Sequence, residues 1–245
     1  MKKRFKKIEK NRKGSHVGVM ISFMIFVAFV LFISVVLEPA LKTNPDKKSL
    51  LESVEKKIID ATSSEMVTAA LSIDSTSTCV SIGSFISNFD AYDGNIIKNQ
   101  NKALISSSLS SADFDTLYIK RNSNSEDFVK IYSSDSLPES DYETISCSSI
   151  TEGTGYEATT KRDSYVFLDK IIDLIDDYES YGNFKSNLNL PNNTDVGFSF
   201  EFENGSIIST NETQPTTNIF VREKSIEYVD ENANILSGKL KTRVW

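Results

Sequence analysis

The longest apolar stretch of the chain is a run of 21 uncharged residues from Val17 to Leu37. At about 1.5 Å of rise per residue, a helix of this length spans roughly 31 Å, which matches the hydrocarbon core of a bilayer. Its few polar side chains include Ser22 and Ser34, which can hydrogen-bond to their own helix backbone. The run therefore predicts a transmembrane helix at residues 17–37. The alternative, a buried helix of a soluble core, is usually shorter and polar on one face.

A second helical pattern follows two prolines. Glu38-Pro39 predicts the end of the membrane helix, and Asn44-Pro45 predicts a new helix start, with Asn as the N-cap. We expect a linker and an amphipathic juxtamembrane helix within residues 38–72, the helix running from about 45 to 70. Its apolar stripe would pack on the following domain or on a neighbouring copy. The stripe consists of Leu51, Val54, Ile58 and Ala61.

Short β-prone segments dominate the chain from residue 73 onwards. Thr116–Lys120 and Phe128–Tyr132 flank a polar loop and predict a hairpin. Val196–Phe202 alternates aromatic or aliphatic residues with small or polar ones, which predicts a half-buried strand, and Asn204-Gly205 behind it is a strong hairpin-turn signal. Further strands are predicted at Thr78–Ile82, Ile219–Arg222, Ser225–Val229 and Lys239–Trp245.

One more amphipathic helix interrupts the predicted strands. Apolar residues form one broad face and aspartates lie mostly opposite, in a segment that begins at Asp163 or Ser164 and ends at Gly182. Strands outnumber helices and are joined by short turns. This order predicts an α+β fold for residues 73–245, with a mainly antiparallel sheet.

Charges are separated by sign along the chain. Residues 1–14 carry a net charge of +7, and because the whole chain has −7, residues 15–245 carry −14. Lys and Arg beside a membrane helix stay on the cytoplasmic side, so we expect a cytoplasmic tail at 1–16 and an extracellular acidic domain. A cleavable secretory signal is the alternative, but its apolar region is typically about 7–15 residues. Membrane lipid is an expected partner, and the negative charge argues against nucleic acid.

The two cysteines, Cys79 and Cys147, both follow the predicted membrane helix, in a compartment where thiols oxidise. They predict a disulfide; the alternative is two unpaired buried cysteines. The chain has a single histidine, His16, which lies outside the predicted ectodomain and cannot activate a nucleophile there. No catalytic residue, cofactor or metal site is predicted.

Three tripeptides in turn-like context match the acceptor sequence for N-linked glycans; such tripeptides are common in any Asn- and Ser-rich chain, and a simple turn residue is the alternative interpretation of Asn204. They begin at Asn192, Asn204 and Asn211. Asp230, Asn232 and Asn234 match the first ligands of a calcium loop, but the later positions carry Ile235 and Lys241 instead of the required Gly and Glu. A polar hairpin turn is the preferred interpretation of that run.

Lys13-Gly14 stands directly before the apolar run, and a β-rich domain follows it. This layout resembles archaeal type IV pilin-like surface proteins. The resemblance implies leader cleavage between Gly14 and Ser15, and packing of the apolar helix against other copies or pilin-like subunits. Val196–Phe202 and Tyr228–Trp245 are similar to segments of uncharacterised archaeal single-pass membrane-anchored proteins, which implies no activity.

These patterns predict a non-enzymatic, single-pass cell-surface protein, structural or adhesive, and in its finer form a pilin-like subunit. Two other classes remain open. One is a membrane-tethered sensor that binds a ligand or partner, and the other is an ectoenzyme that uses carboxylates alone. A deep pocket with clustered acids would favour the enzyme, and a flat surface would favour the interaction role.

Overall fold

The computed structural model describes residues 16–122, 127–191, 194–211 and 218–245. The chain forms two compact units that divide between Leu50 and Leu51. The helices are α1 (His16–Thr62), α2 (Phe85–Phe89), α3 (Leu168–Asp177) and α4 (Tyr181–Asn187), with a 3-10 turn at Tyr178–Ser180. The strands are β1 (Ser63–Ile73), β2 (Cys79–Ile82), β3 (Asn95–Asn99), β4 (Leu104–Ser110), β5 (Leu117–Lys120), β6 (Phe128–Ser133), β7 (Tyr142–Glu143), β8 (Ser148–Ile150), β9 (Tyr156–Phe167), β10 (Val196–Glu201), β11 (Ile207–Ser209), β12 (Phe220–Val229) and β13 (Ile235–Val244).

Helix α1 is continuous over 47 residues. It passes through Pro39 and Pro45, so the predicted break between two helices is wrong. A proline removes one backbone donor, but the hydrogen bonds of the neighbouring turns can hold the helix on either side. The helix ends at Thr62, whose hydroxyl donates to the carbonyl of Ile58 (2.9 Å), while the Ser63 hydroxyl donates to the carbonyl of Ile59 (2.7 Å).

Strand β1 replaces the C-terminal part of the helix that was predicted to reach residue 70. It pairs along its whole length with β9, and with β6 from Val67 to Ser72. Leu71 and Ile73 are fully buried on one of its faces. Strand neighbours on both sides override the local helical pattern, because a strand's preference is decided largely by cross-strand packing. The predicted domain boundary at 72/73 therefore falls at the end of a strand that belongs to the β-rich unit.

The sheet confirms the α+β prediction and its mainly antiparallel pairing. Its strand order in the described residues is β11-β10-β13-β12-β9-β1-β6-β3-β4-β5-β2-β8, and β7 pairs with β4. Three pairs are parallel: β12 with β9, β2 with β8, and β4 with β7. The last strand of the chain, β13, lies between β10 and β12, and β9 and β1 join this C-terminal part of the sheet to the rest.

Two of the local predictions need correction. The segments Thr116–Lys120 and Phe128–Tyr132 do not pair with each other: β5 lies between β4 and β2, and β6 lies between β1 and β3. Helix α3 begins at Leu168, later than Asp163 or Ser164, because β9 pairs with β1 as far as Val166 and with β12 at Phe167. A 3-10 turn and α4 then carry the chain beyond Gly182, which does not end the helical segment.

The strands predicted near the C-terminus agree better with the structure. Strand β10 turns into β11 at Asn204-Gly205, where Gly205 has φ +81°, a conformation that favours glycine. Val196 to Phe200 are all buried, so β10 is covered on both faces rather than half-buried. Ile219–Arg222 and Ser225–Val229 belong to one strand, β12, which forms a hairpin with β13.

The apolar core divides along the two faces of β1, β6 and β3. On one face, Leu71, Ile97 and Ile131 belong to a cluster that also contains side chains from β2, β4, β5 and β8. On the other face, Met66 belongs to a smaller cluster with Phe167, Val229 and Ala233, while Tyr132 and Ile96 pack against it.

The residues of α1 that belong to the second unit are anchored to β12. Leu51, Val54 and Ile58 are buried. Arg222 of β12 contacts Glu52 (Nη1 to Oε1, 2.6 Å) and the buried Glu55 (Nε to Oε2, 2.9 Å). An ion pair to a buried carboxylate holds the helix in one register, since breaking it would leave a charge without compensation.

Candidate functional site

Most of the exposed large hydrophobic side chains that the structure describes lie in the apolar segment of α1, between Val19 and Val36. Gly18–Val36 has a mean hydropathy of 3.0, and none of it is buried. Phe23 is 66% exposed and Met24 is 74% exposed. By length and composition the segment can cross a bilayer, and an apolar stretch near the N-terminus is also a feature of signal sequences.

The predicted disulfide between Cys79 and Cys147 is confirmed, with Cα atoms 5.0 Å apart. Strands β2 and β8 bring the cysteines together, because the two strands are parallel neighbours with Val80 opposite Ser148. The loop before Cys79 is also held by the buried Arg121, whose guanidinium donates to the carbonyl of Ser75 (2.6 Å) and to that of Ser77. This end of the sheet is thus fixed covalently and by a buried cation.

The structure describes only some of the residues predicted for glycosylation and for leader cleavage. Asn204 is exposed in the β10–β11 turn, where its Oδ1 accepts from the Ser206 backbone N (2.9 Å) and hydroxyl (2.7 Å). Asn211 is exposed, and its partner residue Thr213 lies outside the described residues, as does Asn192. Gly14 and Ser15, the implied cleavage site, also lie outside them. Glycosylation and cleavage stay predictions.

A cavity of about 520 Å³ opens beside the 3-10 turn that follows α3. Its aromatic lining comes from Tyr178, Tyr181 and Trp245, and its acidic lining from Asp176, Glu179 and Asp195. Aromatic faces and carboxylates both attract cations. The chemistry of this lining is therefore suited to a cationic group.

Hydrogen bonds fix the two tyrosines of the cavity. The Tyr178 hydroxyl donates to the carbonyl of Val196 (2.8 Å), and the Tyr181 hydroxyl donates to Asp195 Oδ1 (3.0 Å) while accepting from the Val196 N–H (2.9 Å). The Lys185 ammonium lies 5.4 Å from the Tyr181 ring centroid and 3.6 Å from Asp195 Oδ1. Two lining residues of the cavity, Tyr181 and Asp195, thus already contact one cation, which the chain itself supplies.

The Asp- and Asn-rich run at 230–234 forms the turn of the β12–β13 hairpin. This agrees with the interpretation of the run as a polar hairpin turn and not a calcium loop. Asp230 Oδ1 accepts from the backbone N–H groups of Asn232 (3.0 Å) and Asn234 (2.7 Å), and Asp230 Oδ2 accepts from Asn234 Nδ2 (2.8 Å). The cation in contact with this turn is the ammonium of Lys98 on β3, which is only 5% exposed. Its Nζ donates to Asn234 Oδ1 (2.7 Å) and to the carbonyl of Ala233 (3.1 Å).

The environment of Lys98 disfavours its charged form. Burial lowers the pKa of the Lys98 ammonium, with a smaller effect in the same direction from the charge of Lys102, while the Asp230 carboxylate opposes them. The ring centroid of Tyr132 lies 5.4 Å from Nζ. Sequence reasoning missed Lys98, because a lysine between Ile97 and Asn99 is indistinguishable from a solvent-facing strand residue.

Metal binding has no candidate within the described ranges, where no group of three or more His, Cys, Asp or Glu side chains could hold an ion. The sequence analysis also missed the aromatic residues of the cavity, since they come together only in the folded chain.

Comparison with known proteins adds no family: no family model, curated protein or solved structure matches this chain.

Proposed function

We propose that the chain is a non-enzymatic, membrane-anchored cell-surface protein with a structural or adhesive role. The observation that carries the proposal is the uncovered apolar segment Gly18–Val36 of α1. Burying a large apolar side chain is worth about 1.5–3 kcal/mol, so a whole helix of such side chains strongly favours a lipid environment over water. The segment is therefore assigned to the bilayer.

The proposed orientation places the N-terminus in the cytoplasm and the β-rich unit outside. The +7 charge of residues 1–14 supports it, because flanking cations are retained on the cytoplasmic side. The Cys79–Cys147 disulfide supports it independently, since such bonds persist in oxidising compartments. Charge and redox chemistry thus favour the same side of the membrane for this unit.

A pilin-like subunit is the finer form of this proposal. It is supported by α1, a single helix that carries both the apolar segment and the residues packed in the β-rich unit. N-terminal sequencing of protein extracted from native membranes tests it. A chain that begins at Ser15 would support leader cleavage, and an intact Met1 or Lys2 would favour a simple anchor.

Membrane fractionation tests the anchor. The full-length chain is expected to remain in the membrane pellet through alkaline extraction and to need detergent for release. The variant Val27→Arg/Val30→Arg places two charges in the segment, at about 2.5–3.5 kcal/mol each near a helix centre, and is expected to lose stable insertion. Ile207→Arg, on the exposed β11, is the matched control and should behave as wild type. Wild-type protein in the soluble fraction would refute the anchor.

The second candidate is a membrane-tethered binding module, and the acidic, aromatic cavity beside Tyr181 is the observation that favours it. Tetramethylammonium is a suitable probe because it combines charge with apolar surface. Titration should change the fluorescence of Trp245, the single tryptophan of the chain, and Glu179→Gln should weaken the response. A response equal to that of free tryptophan would exclude cation binding there.

A further inference from the structure

Lys98 makes an unusual set of contacts for a lysine. Its side chain extends from β3 into the region between Tyr132 and the β12–β13 turn, and the residue is buried. Both of its acceptors are uncharged: the side-chain amide of Asn234 and the carbonyl of Ala233. Ala233 belongs to the smaller apolar cluster, which also contains Met66 and Phe167, and Tyr132 packs against that cluster. The amine therefore lies beside apolar side chains.

Asn234 is held from both ends of its amide. Its Oδ1 is 2.7 Å from the Lys98 Nζ, and its Nδ2 is 2.8 Å from the Asp230 Oδ2. Asp230 is in turn fixed by the backbone N–H groups of Asn232 and Asn234. The amide thus lies between an amine on its carbonyl side and a carboxylate on its nitrogen side.

We propose that Lys98 and Asn234 form an intramolecular isopeptide bond. The Lys98 amine attacks Cγ of Asn234, the new bond joins Nζ to Cγ, and the bond from Cγ to Nδ2 breaks. The amide nitrogen leaves as ammonia, so the side chains lose one NH₃ and no electron transfer is involved. The product is a secondary amide between β3 and the β12–β13 turn.

Three properties of the cluster favour this reaction. The Lys98 Nζ lies 2.7 Å from Asn234 Oδ1, which is bonded directly to the Cγ that Nζ attacks, and holding the reacting groups next to each other gives the large rate advantage of intramolecular reactions. Burial lowers the pKa of the Lys98 ammonium, which raises the share of nucleophilic neutral amine. The Asp230 Oδ2 lies 2.8 Å from the leaving nitrogen, and once Nζ is bonded to the same carbon as Nδ2, this carboxylate can accept the proton that Nζ loses and return it to Nδ2.

The bond would join parts of the chain that are far apart in sequence. Lys98 and Asn234 are separated by 136 positions, whereas the cysteines of the disulfide are separated by 68. The disulfide links β2 to the segment before β8, but the isopeptide bond would tie β3 to the C-terminal hairpin. The competing interpretation is a purely hydrogen-bonded lysine, which has the same contacts and a free amine.

Peptide mass spectrometry on the full-length, detergent-solubilised and reduced protein separates the two interpretations. Wild type is expected to yield a branched tryptic peptide that contains residues 98 and 234 and weighs one ammonia less than its two parts. Trypsin should not cleave after Lys98 in that peptide. Fragment ions from both arms would identify the bond and distinguish it from deamidation of Asn234.

Variants test the roles within the cluster. Lys98→Arg keeps a buried cation but removes the nucleophile, so the branched peptide should disappear, whereas Lys130→Arg on the neighbouring exposed position should retain it. Asp230→Asn should lower the cross-linked fraction at a given time after synthesis. Quantitative labelling of Lys98 by an amine reagent in the denatured wild-type chain, without any branched peptide, would overturn the proposal even if every variant failed to fold.

Discussion

Removal of the Cys79–Cys147 disulfide gives the most quantitative stability prediction. The cysteines are separated by 68 positions. In the chain-entropy model, cross-linking a loop of this length destabilises the unfolded state by about 4.4 kcal/mol at 25 °C. Both cysteines are only half-buried, so replacement by serine adds little further cost. We expect Cys79→Ser/Cys147→Ser to lose about 4 kcal/mol of unfolding free energy.

Urea unfolding of the detergent-solubilised chain measures this loss. Trp245 is half-buried and reports on the β-rich unit, since its backbone pairs with Asp195 at the start of β10. With a denaturant slope of about 2 kcal/mol/M, the midpoint should fall by roughly 2 M. The melting temperature should fall by about 9–18 °C for a domain of this size. The disulfide variant and its reference should both carry Lys98→Arg, because no isopeptide bond can then constrain the unfolded chain.

Single variants provide the control for this prediction. Because either substitution alone opens the bond, Cys79→Ser and the double variant should have the same midpoint within error. A double variant that loses less than about 1 kcal/mol would refute the loop-entropy argument, since a loop of this length should contribute several times more. A single variant that matches wild type would show that the bond does not form.

Two further predictions concern packing and charge in the β-rich unit. At Gly238 an added Cβ would lie 2.4 Å from Phe200 Cζ, so Gly238→Ala should cost about 1–3 kcal/mol in chemical denaturation; Gly182→Ala, with open space around it, should be neutral or slightly stabilising. Hydrogen bonds from the Thr116 hydroxyl, and then from backbone N–H groups, lower the pKa of Asp113 to about 2, from 3.8. Its contribution to stability is therefore present above pH 3.8 and lost as the pH falls through 2, and Asp113→Asn should flatten the stability–pH curve in that window; an unchanged curve would contradict this assignment.

Local signals in the sequence were enough to predict the elements that depend on local chemistry. An uninterrupted apolar run predicts an apolar helix whatever surrounds it, and Asn204-Gly205 predicts a tight turn because few other dipeptides adopt that backbone. The Cys79–Cys147 pair was predictable because only one pairing of two cysteines exists. The mainly antiparallel sheet followed from the number of short strands.

Elements decided by distant partners were not predictable in this way. Strand β1 has residues that suit a helix, and only its pairing with β6 and β9 makes it a strand. The same holds for the missing hairpin between Thr116–Lys120 and Phe128–Tyr132. A proline usually marks a helix boundary, but α1 continues through both Pro39 and Pro45.

The candidate sites were harder to predict than the fold. Lys98 and Asn234 are separated by 136 positions and meet because β3 and the β12–β13 turn approach the same apolar cluster. Trp245 reaches the cavity through its pairing with Asp195, and nothing in either residue's neighbourhood signals that contact. Reactive and binding groups of this kind become visible only when side chains are placed in three dimensions.

Protease accessibility on intact cells tests the membrane-anchored display of the β-rich unit most directly. Cells that express the full chain with a C-terminal epitope after Trp245 are treated with an added protease, and a cytoplasmic protein serves as the control for cell integrity. The proposal predicts that the epitope is lost while the cytoplasmic control stays intact, and that a short N-terminal fragment remains in the membrane. An epitope that survives until the cells are lysed would contradict the account.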